Sequence, residues 1–378
     1  MIYGKSTGVD IAVIGGGLVG AAIAYGLLEK GQSVAMFDEG EAAFRASRGN
    51  FGLVCAGAKG DKLEDYAPWA LQGVEVWADF AERLTAATAI DLELEQNGGM
   101  VFCPEEQDLA ARTATMERLR RRSGLDFDVL RPAEIARYMP GVSDNFAGGI
   151  FCSIDGAANP LKLLRALHAA VSRTPGASRQ DARVSRIEPG SGGGYRIVTA
   201  RGTTDCQKVV LAAGLGNLAM AECLGVKLPI VPMRGQILVT ERHDPVLTVP
   251  SEQVRQNRNG TFLLGGSWED VGYDTSTTFE VTRDIAALAV RYFPFLKSVR
   301  LVRSWSALRI LAPDNAPIYD EIAPGAYLVT CHSGVSLAAL HSGKVAGWIA
   351  EGILPEEAAP FHLGRFAAAT PEPEVAHG

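Results

Sequence analysis

The six cysteines of this sequence, Cys55, Cys103, Cys152, Cys206, Cys223 and Cys331, are scattered, with no C-x-x-C pair among them. That spacing suggests neither a disulfide framework nor a zinc or iron-sulfur site, leaving buried thiols in a reducing compartment as the expectation. No apolar run reaches the roughly 18 residues that would span a bilayer. The opening MIYGKSTGVD is too short and polar for a secretory signal, so a cytoplasmic location is expected. Positive charge is scarce as well: 36 Lys and Arg stand against 43 Asp and Glu, a formal net charge of −7. Such a balance implies no basic surface large enough to hold nucleic acid. Internal repeats are missing too. What is present is an ordinary globular composition, 47% hydrophobic and 21% charged, over 378 residues, a length that suits two domains.

The informative stretch is IAVIGGGLVGAAIAYGLLEKGQSVAMFDEG, Ile11 to Gly40. A short apolar run broken by glycines reads as a buried strand entering a tight turn. Gly15, Gly17 and Gly20 supply G-x-G-x-x-G: the first permits the turn, the second admits a pyrophosphate against the backbone, and the third lets helix and strand pack closely. LVGAAIAYGLLEKG then reads as a helix stopped at Gly31, whose N-terminus directs free N–H groups and partial positive charge at the phosphates. The next strand, SVAMFD, ends at Asp38, 23 residues past Gly15 (38 − 15), where a carboxylate accepts bonds from a ribose diol. Strand, glycines, helix, strand and acid together predict a bound dinucleotide.

Further along, helix is expected over about 63–86 and, charged, over 105–138, where ERLRRRSG reads as a solvated face. Asn97-Gly98 carries a hairpin signal. A helix starts near Asn159-Pro160, and ARVSRIEPGSGGGYRIVTARGTTDCQKVVLAAG reads as three strands. The last of these, KVVLAAG, is apolar on both faces and is expected as an inner parallel strand returning to the nucleotide. Strands dominate 229–318, with one helix near 281–292, and the chain closes with a strand, a glycine loop and a long helix. Nucleotide-binding pieces thus lie at the start, middle and end. An NAD dehydrogenase more often keeps its dinucleotide domain contiguous, so this dispersal favours FAD. The expected fold is α/β, a discontinuous Rossmann-like FAD-binding domain (1–90, 158–221 and 321–365) with an inserted, mostly antiparallel substrate domain (91–157 and 222–320). Residues 366–378 are expected as a flexible tail.

In family order, the motifs VIGGGLVG, SRGNFGLV, GAANP, VVLAAG, MRGQILV, WSALRILAPDNAPIYDE and CHSGVSLAALHSGKVAG resemble the D-amino-acid oxidase superfamily of flavoproteins, which contains glycine and sarcosine oxidases. SRGNFGLV, WSALRILAPDNAPIY and CHSGVSLAA look closest to the branch of opine oxidase, D-hydroxyproline dehydrogenase and hydrogen cyanide synthase beta subunits. The resemblance implies that Gly15, Gly17, Leu18, Val19, Gly20, Asp38 and Glu39 hold the ADP half of FAD. It implies that Ser47 and Arg48 lie on the pyrophosphate and ribityl chain, that Phe51 and Gly52 approach the isoalloxazine, and that Asn50 and Leu53 also bind the cofactor. Val184 would meet adenine through its backbone, and Ala213 and Gly214 would line the pyrophosphate. His332, Ser333, Gly334, Val335 and Ser336 would close over the flavin at the start of the last helix. Relatives that carry flavin covalently do so through a histidine in the first loop or a late cysteine; FRASRGNFG has no histidine, so noncovalent FAD is expected.

The same resemblance implies hydride transfer from an amine-bearing carbon to flavin N5, giving an imine that hydrolyses. A carboxylate on the substrate calls for a fixed arginine fork. Arg309 stands at the family's carboxylate-gripping position, and Arg234 is a second candidate with a structural role favoured. His332 is a candidate for proton chemistry or for a mere hydrogen-bonding role in the flavin loop. Trp268 and Trp305 are read either as cavity walls or as core. The branch implies an alpha-subunit partner, with any iron-sulfur cluster or second flavin supplied at or by that partner. The other readings are a stand-alone glycine- or sarcosine-type oxidase that makes hydrogen peroxide, and a flavin-holding interaction subunit.

Overall fold

The computed structural model describes residues 8–40, 46–190 and 193–369. The apolar opening run forms strand β1 (Val9–Ile14), the glycines turn the chain, helix α1 spans Leu18–Glu29, and strand β2 is Val34–Asp38. β1 pairs in parallel with β2 on one side and with the Gly202–Leu211 strand on the other. Ala326–Thr330 and Ala177–Asp181 extend this to five parallel strands, so the start, middle and end of the chain share one sheet. A parallel sheet must be covered on both faces. One face takes α1, the Pro160–Arg173 helix and the closing helix. The other takes residues of the antiparallel Val184–Pro189 and Tyr195–Thr199 strands together with Met220 and Ala221. Gly20 to Leu28 of α1 are all buried, as an all-round apolar helix between layers must be.

A separate antiparallel sheet joins Val254–Gln256, Thr261–Leu264, Val231–Arg242 and Leu301–Leu311, and a three-stranded one joins Gly99–Cys103, Gly148–Cys152 and Asp128–Leu130. Their shared core is aromatic, with Phe102 stacked on Tyr292 at 4.4 Å and against Phe293 and Phe146. The long Val231–Arg242 and Leu301–Leu311 strands set Gly235 opposite Ala307 and Met233 opposite Arg309. This is the discontinuous α/β arrangement with a separate antiparallel sheet that the sequence predicts.

Several local expectations change. Asn97-Gly98 is no hairpin turn: Gly99–Cys103 pairs with the distant Gly148–Cys152 strand, and before it Glu95 makes only an isolated bridge to Ala157. The charged helix ends at Ser123, where Gly124 adopts φ 76°, and Asp128–Leu130 then joins a sheet. Its ERLRRRSG face is solvated, with Arg118 and Arg122 paired to Glu64 and Asp65. Tyr66–Glu75 and Trp77–Thr88 are two helices broken at Val76. The tail does not begin at 366: 3-10 turns run Leu363–Ala369, and Phe366 lies partly buried on the second core, with the Arg365 guanidinium 4.2 Å from its ring centroid. The rest of the expected tail, and the 42–45 part of the loop before Ser47, fall outside the described residues. Cys223 is exposed, against the expectation of buried thiols, while the other five cysteines are buried. Among the described residues no helix is long and apolar enough to cross a membrane.

Candidate active site

The nucleotide turn is built by close approach. Gly15 has φ 109°, and a Cβ there would stand 2.4 Å from the Ala212 carbonyl oxygen; a Cβ on Gly20 would stand 1.9 Å from the Gly15 oxygen. No side chain fits at either position. The Asp38 carboxylate accepts the Gly16 N–H at 2.7 Å through one oxygen and the Gly40 N–H at 2.9 Å through the other. Each oxygen keeps a lone pair for a ribose hydroxyl. Ser47 Oγ accepts the Leu18 N–H at 2.9 Å, tying the next loop to the N-terminus of α1. Val184 shares a core cluster with Ile14 and Phe37, and next to it Arg183 faces Glu39 at 3.7 Å. Ala213 is held by Asn217, whose Oδ1 accepts the Ala213 N–H at 2.7 Å, and Gly214 follows it with φ 60°. His168 meets the Gly16 carbonyl at 2.6 Å, with burial and the charges of Arg179 and Arg48 favouring its neutral ring. The glycine cradle, the start of α1 and the acid at the second strand fit the ADP half of a dinucleotide.

The Ser47–Leu53 loop leads from this cradle to a cleft. Gly52 donates to Asn50 Oδ1 at 2.7 Å, forming an Asx turn. Buried Arg255 pins the loop from the other sheet: Nη1 donates to the carbonyls of Phe51 (2.9 Å), Gly52 (3.1 Å) and Ala158 (3.0 Å), and Nη2 to Asn257 Oδ1 (2.9 Å). The closing loop is knitted to it as well. Ser336 Oγ donates to the Leu53 carbonyl at 3.0 Å and accepts the Cys55 N–H at 3.3 Å, while Trp77 Nε1 donates to the Val335 carbonyl at 3.0 Å. A Cβ on Gly334 would come into van der Waals contact with Leu18 and Val19, both at 3.5 Å.

Between these loops and the antiparallel sheet opens a cleft enclosing about 1080 Å³, its mouth included. Asn50, Phe51, Leu53, His332, Ser333, Val335 and Ser336 line one side, and Gly235, Ile237, Trp268 and Ala307 to Ile310 the other. Arg309 lies flat between Gly235 and Trp268, its guanidinium carbon 4.4 Å from the Trp268 ring centroid. Nη1 donates to the carbonyls of Ser267 at 2.9 Å and Arg234 at 3.2 Å, and among the described residues no carboxylate pairs with it. Burial lowers its pKa to about 10, against the pull of Glu252 and Glu269, so it stays charged at neutral pH. Arg234 is different: its fork is engaged by Glu269 at 2.7 Å and Asp274 at 2.5 Å within the sheet, a structural ion pair.

His332 faces the same cleft, its ring centroid 5.8 Å from that of Trp268. Burial first, then the charges of Lys59 and Arg309, hold its pKa well below the ordinary value, so the imidazole is neutral at pH 7. Trp305 does not line the cleft; its ring lies against Arg303 instead. No sequence motif points to Arg255, Gln253, Lys59, Asn217 or His168. Gln253 lines the cleft with its Oε1 buried and without a hydrogen-bond partner among the described residues. The weak available signal was charge in apolar surroundings, as with Lys59 in CAGAKG.

The family model for FAD dependent oxidoreductases (DAO) matches residues 10–348. The chain is 37% identical over 371 residues to the B subunit of opine oxidase from Rhizobium meliloti, covering 95% of this chain and 98% of that one. It is 28% identical over 424 residues to the HcnC subunit of hydrogen cyanide synthase from Pseudomonas aeruginosa, covering 97% of each. Glycine oxidase from Geobacillus kaustophilus superposes with a TM-score of 0.86 at 24% identity, covering 95% of this chain and 99% of that structure, a likeness of fold.

Proposed function

The chain belongs to the family of FAD-dependent oxidoreductases, and from that premise we propose that it oxidises the carbon-nitrogen bond of an amino acid or N-substituted amino acid, such as an opine, D-amino or imino acid. The observation that carries this reading is Arg309: a desolvated guanidinium with no acid partner among the described residues, clamped against Trp268 in the cleft that the Phe51 and His332 loops enter. Such a fork is an unfilled carboxylate site. Held there, the substrate presents its amine toward His332. A neutral imidazole of depressed pKa is a weak base, so His332 accepts a hydrogen bond from the amine and orients it rather than taking its proton. Trp268 limits water at the mouth.

FAD would be held by Gly15, Gly17, Leu18, Val19, Gly20, Asp38, Glu39 and Val184 at its ADP end, and by Ala213, Gly214, Ser47 and Arg48 along its middle. Asn50 to Leu53 and His332 to Ser336 would surround its reactive end. When bound, it supplies the acceptor for the substrate's hydride. Its attachment is noncovalent: burial pushes the Cys331 thiol up to about 12, leaving it a poor nucleophile. The FAD-binding domain takes 1–90, 158–221 and 321–365, and the substrate domain 91–157 and 222–320.

The chain works beside an alpha subunit that accepts its electrons. Two of its relatives are named as subunits, and no group of His, Cys, Asp and Glu among the described residues could hold a metal of its own. The second reading, a stand-alone oxidase, draws on the glycine-oxidase fold likeness. Following anaerobic flavin bleaching across amino acids and opines tests the chemistry: a holoprotein that none of them reduces defeats it. Comparing peroxide with dye reduction, with and without the chain's genomic neighbours, separates the two readings. Rapid peroxide formation by the isolated chain establishes the second.

A further inference from the structure

The cleft holds a second cation. Lys59, in the loop after the short Leu53–Val54 strand, lines the same space as Arg309, which enters from the Leu301–Leu311 strand. Many cations of the molecule are engaged by acids, as Arg112 is by Asp61, Arg258 by Asp91 and Glu95, and Arg365 by Asp314. The Lys59 ammonium has neither an ion pair nor a hydrogen bond among the described residues; only its backbone N–H bonds, to the Ala56 carbonyl at 3.0 Å.

Its neighbours do not neutralise it. Asp155 directs its carboxylate at the backbone, accepting the N–H groups of Ala56 at 2.7 Å and Gly57 at 3.2 Å. Burial keeps the Cys55 thiol, its pKa pushed up to about 11, and the Tyr66 phenol in their neutral forms. Burial works against the Lys59 charge, yet its pKa is raised overall, with the carboxylates of Glu252 and Asp155 favouring the ammonium at neutral pH. Glu252 lines the cleft too, and its charge acts on both cations, while both cations act on His332. Two positive charges, one negative charge and a neutral imidazole therefore converge on one space.

We propose that Lys59 is a specificity determinant for a second carboxylate, so that the cleft takes a secondary amine flanked by two carboxylates. Arg309 receives one carboxylate, Lys59 the other, and Glu252 faces the ammonium between them. The charges match in number and sign: two cations and an anion in the cleft, two anions and a cation on the ligand. A monocarboxylate leaves the half-buried Lys59 without an anion. With FAD bound as the two-electron acceptor, oxidation would remove a hydride from one flanking carbon and release a proton from nitrogen to water. Water then adds across the C=N bond, the C–N bond breaks, and an amino acid and a 2-oxo acid leave.

This inference rests on the C–N oxidation reading, and its test separates the two. Iminodiacetate and sarcosine differ in one feature, a carboxymethyl against a methyl on the same nitrogen. With FAD-loaded protein, the ratio of kcat/KM for iminodiacetate to that for sarcosine should fall at least about tenfold in Lys59→Met. Lys59→Arg, which keeps the charge, should restore part of it. Thiodiacetate and methylthioacetate carry sulfur where the amine would be and so have no C–N bond to oxidise. Their binding, read by perturbation of the flavin spectrum, should show the same loss for the dicarboxylate in Lys59→Met. An unchanged ratio in a Lys59→Met protein of normal FAD content, or equal weakening of both thioethers, overturns the role of Lys59. If neither amine reduces the wild-type flavin while thiodiacetate binding still depends on Lys59, the oxidation reading fails and the dicarboxylate subsite stands.

Discussion

Gly235→Ala should abolish the carboxylate site with a single methyl group. A Cβ at Gly235 would stand 2.2 Å from Arg309 Nη1 and 2.5 Å from its guanidinium carbon, more than 1 Å inside ordinary contact. The guanidinium cannot retreat the other way, because Trp268 packs on its far side at 4.4 Å. It must swing out, giving up the Ser267 and Arg234 carbonyls. The backbone loses nothing, since Gly235 does not have a left-handed φ, and alanine is favoured over glycine in a strand by roughly 0.5–1 kcal/mol. Losing a charged, hydrogen-bonded contact costs about 2 to 5 kcal/mol. For a fork displaced rather than deleted, the lower figure applies, and about 2 kcal/mol is roughly 30-fold in affinity. The assay is anaerobic flavin reduction against substrate concentration, with FAD content and Tm as controls. Gly235→Ala should keep its FAD, lose about 30-fold in apparent affinity, and add little when combined with Arg309→Ala, because both changes remove one interaction. Wild-type affinity in the single variant, or full additivity in the double, would refute the placement of the carboxylate against Arg309.

Arg309→Ala should weaken reduction of the flavin by substrate at least as much while leaving FAD bound, and Arg309→Lys should rescue little, because an ammonium lacks the fork; unchanged reduction kinetics in both moves the carboxylate site elsewhere. Gly17→Val should yield colourless protein, its side chain meeting Ser47 Oγ, 2.8 Å from a Cβ at that position, and filling the pyrophosphate space; full flavin occupancy by absorbance would contradict this. Burial raises the Asp155 pKa to about 6, against the Ala56 and Gly57 N–H groups and Lys59. The folded protein therefore binds this proton more tightly than the unfolded chain, and the stability it contributes is present below about pH 4 and lost as pH rises through 6, by roughly 3 kcal/mol. In Asp155→Asn that component of the Tm-against-pH curve should vanish between pH 4 and 7, whatever the absolute loss; parallel curves for the two proteins would show that Asp155 does not titrate there.

The nucleotide half was legible because its information is local. Gly15, Gly17, Gly20 and Asp38 act within one strand, turn, helix and strand, where spacing determines geometry. The apolar strand ending at Leu211 declared its buried place by composition, and it lies parallel between β1 and Ala326–Thr330. Where local signals competed with distant partners, the partners won: Asn97-Gly98 looked like a turn, yet Gly99–Cys103 pairs with Gly148–Cys152 and stacks its Phe102 against Tyr292. The chemistry of the cleft is non-local throughout. Arg255 reaches Phe51 across 204 positions, and Ser336 reaches Leu53 across 283. Lys59 and Glu252 share a space only because two sheets close on it. Sequence alone determined that a flavin dinucleotide fits and that Arg309 is a carboxylate candidate. Tertiary structure decided which arginine is available, since Arg234 and Arg309 are equivalent as residue types and differ only in the neighbours that folding brings. Glu269 and Asp274 engage one, while Gly235 and Trp268 hold the other without an acid among the described residues. A charge becomes a binding site through what surrounds it, and burial without a counter-ion is a property of the packed chain.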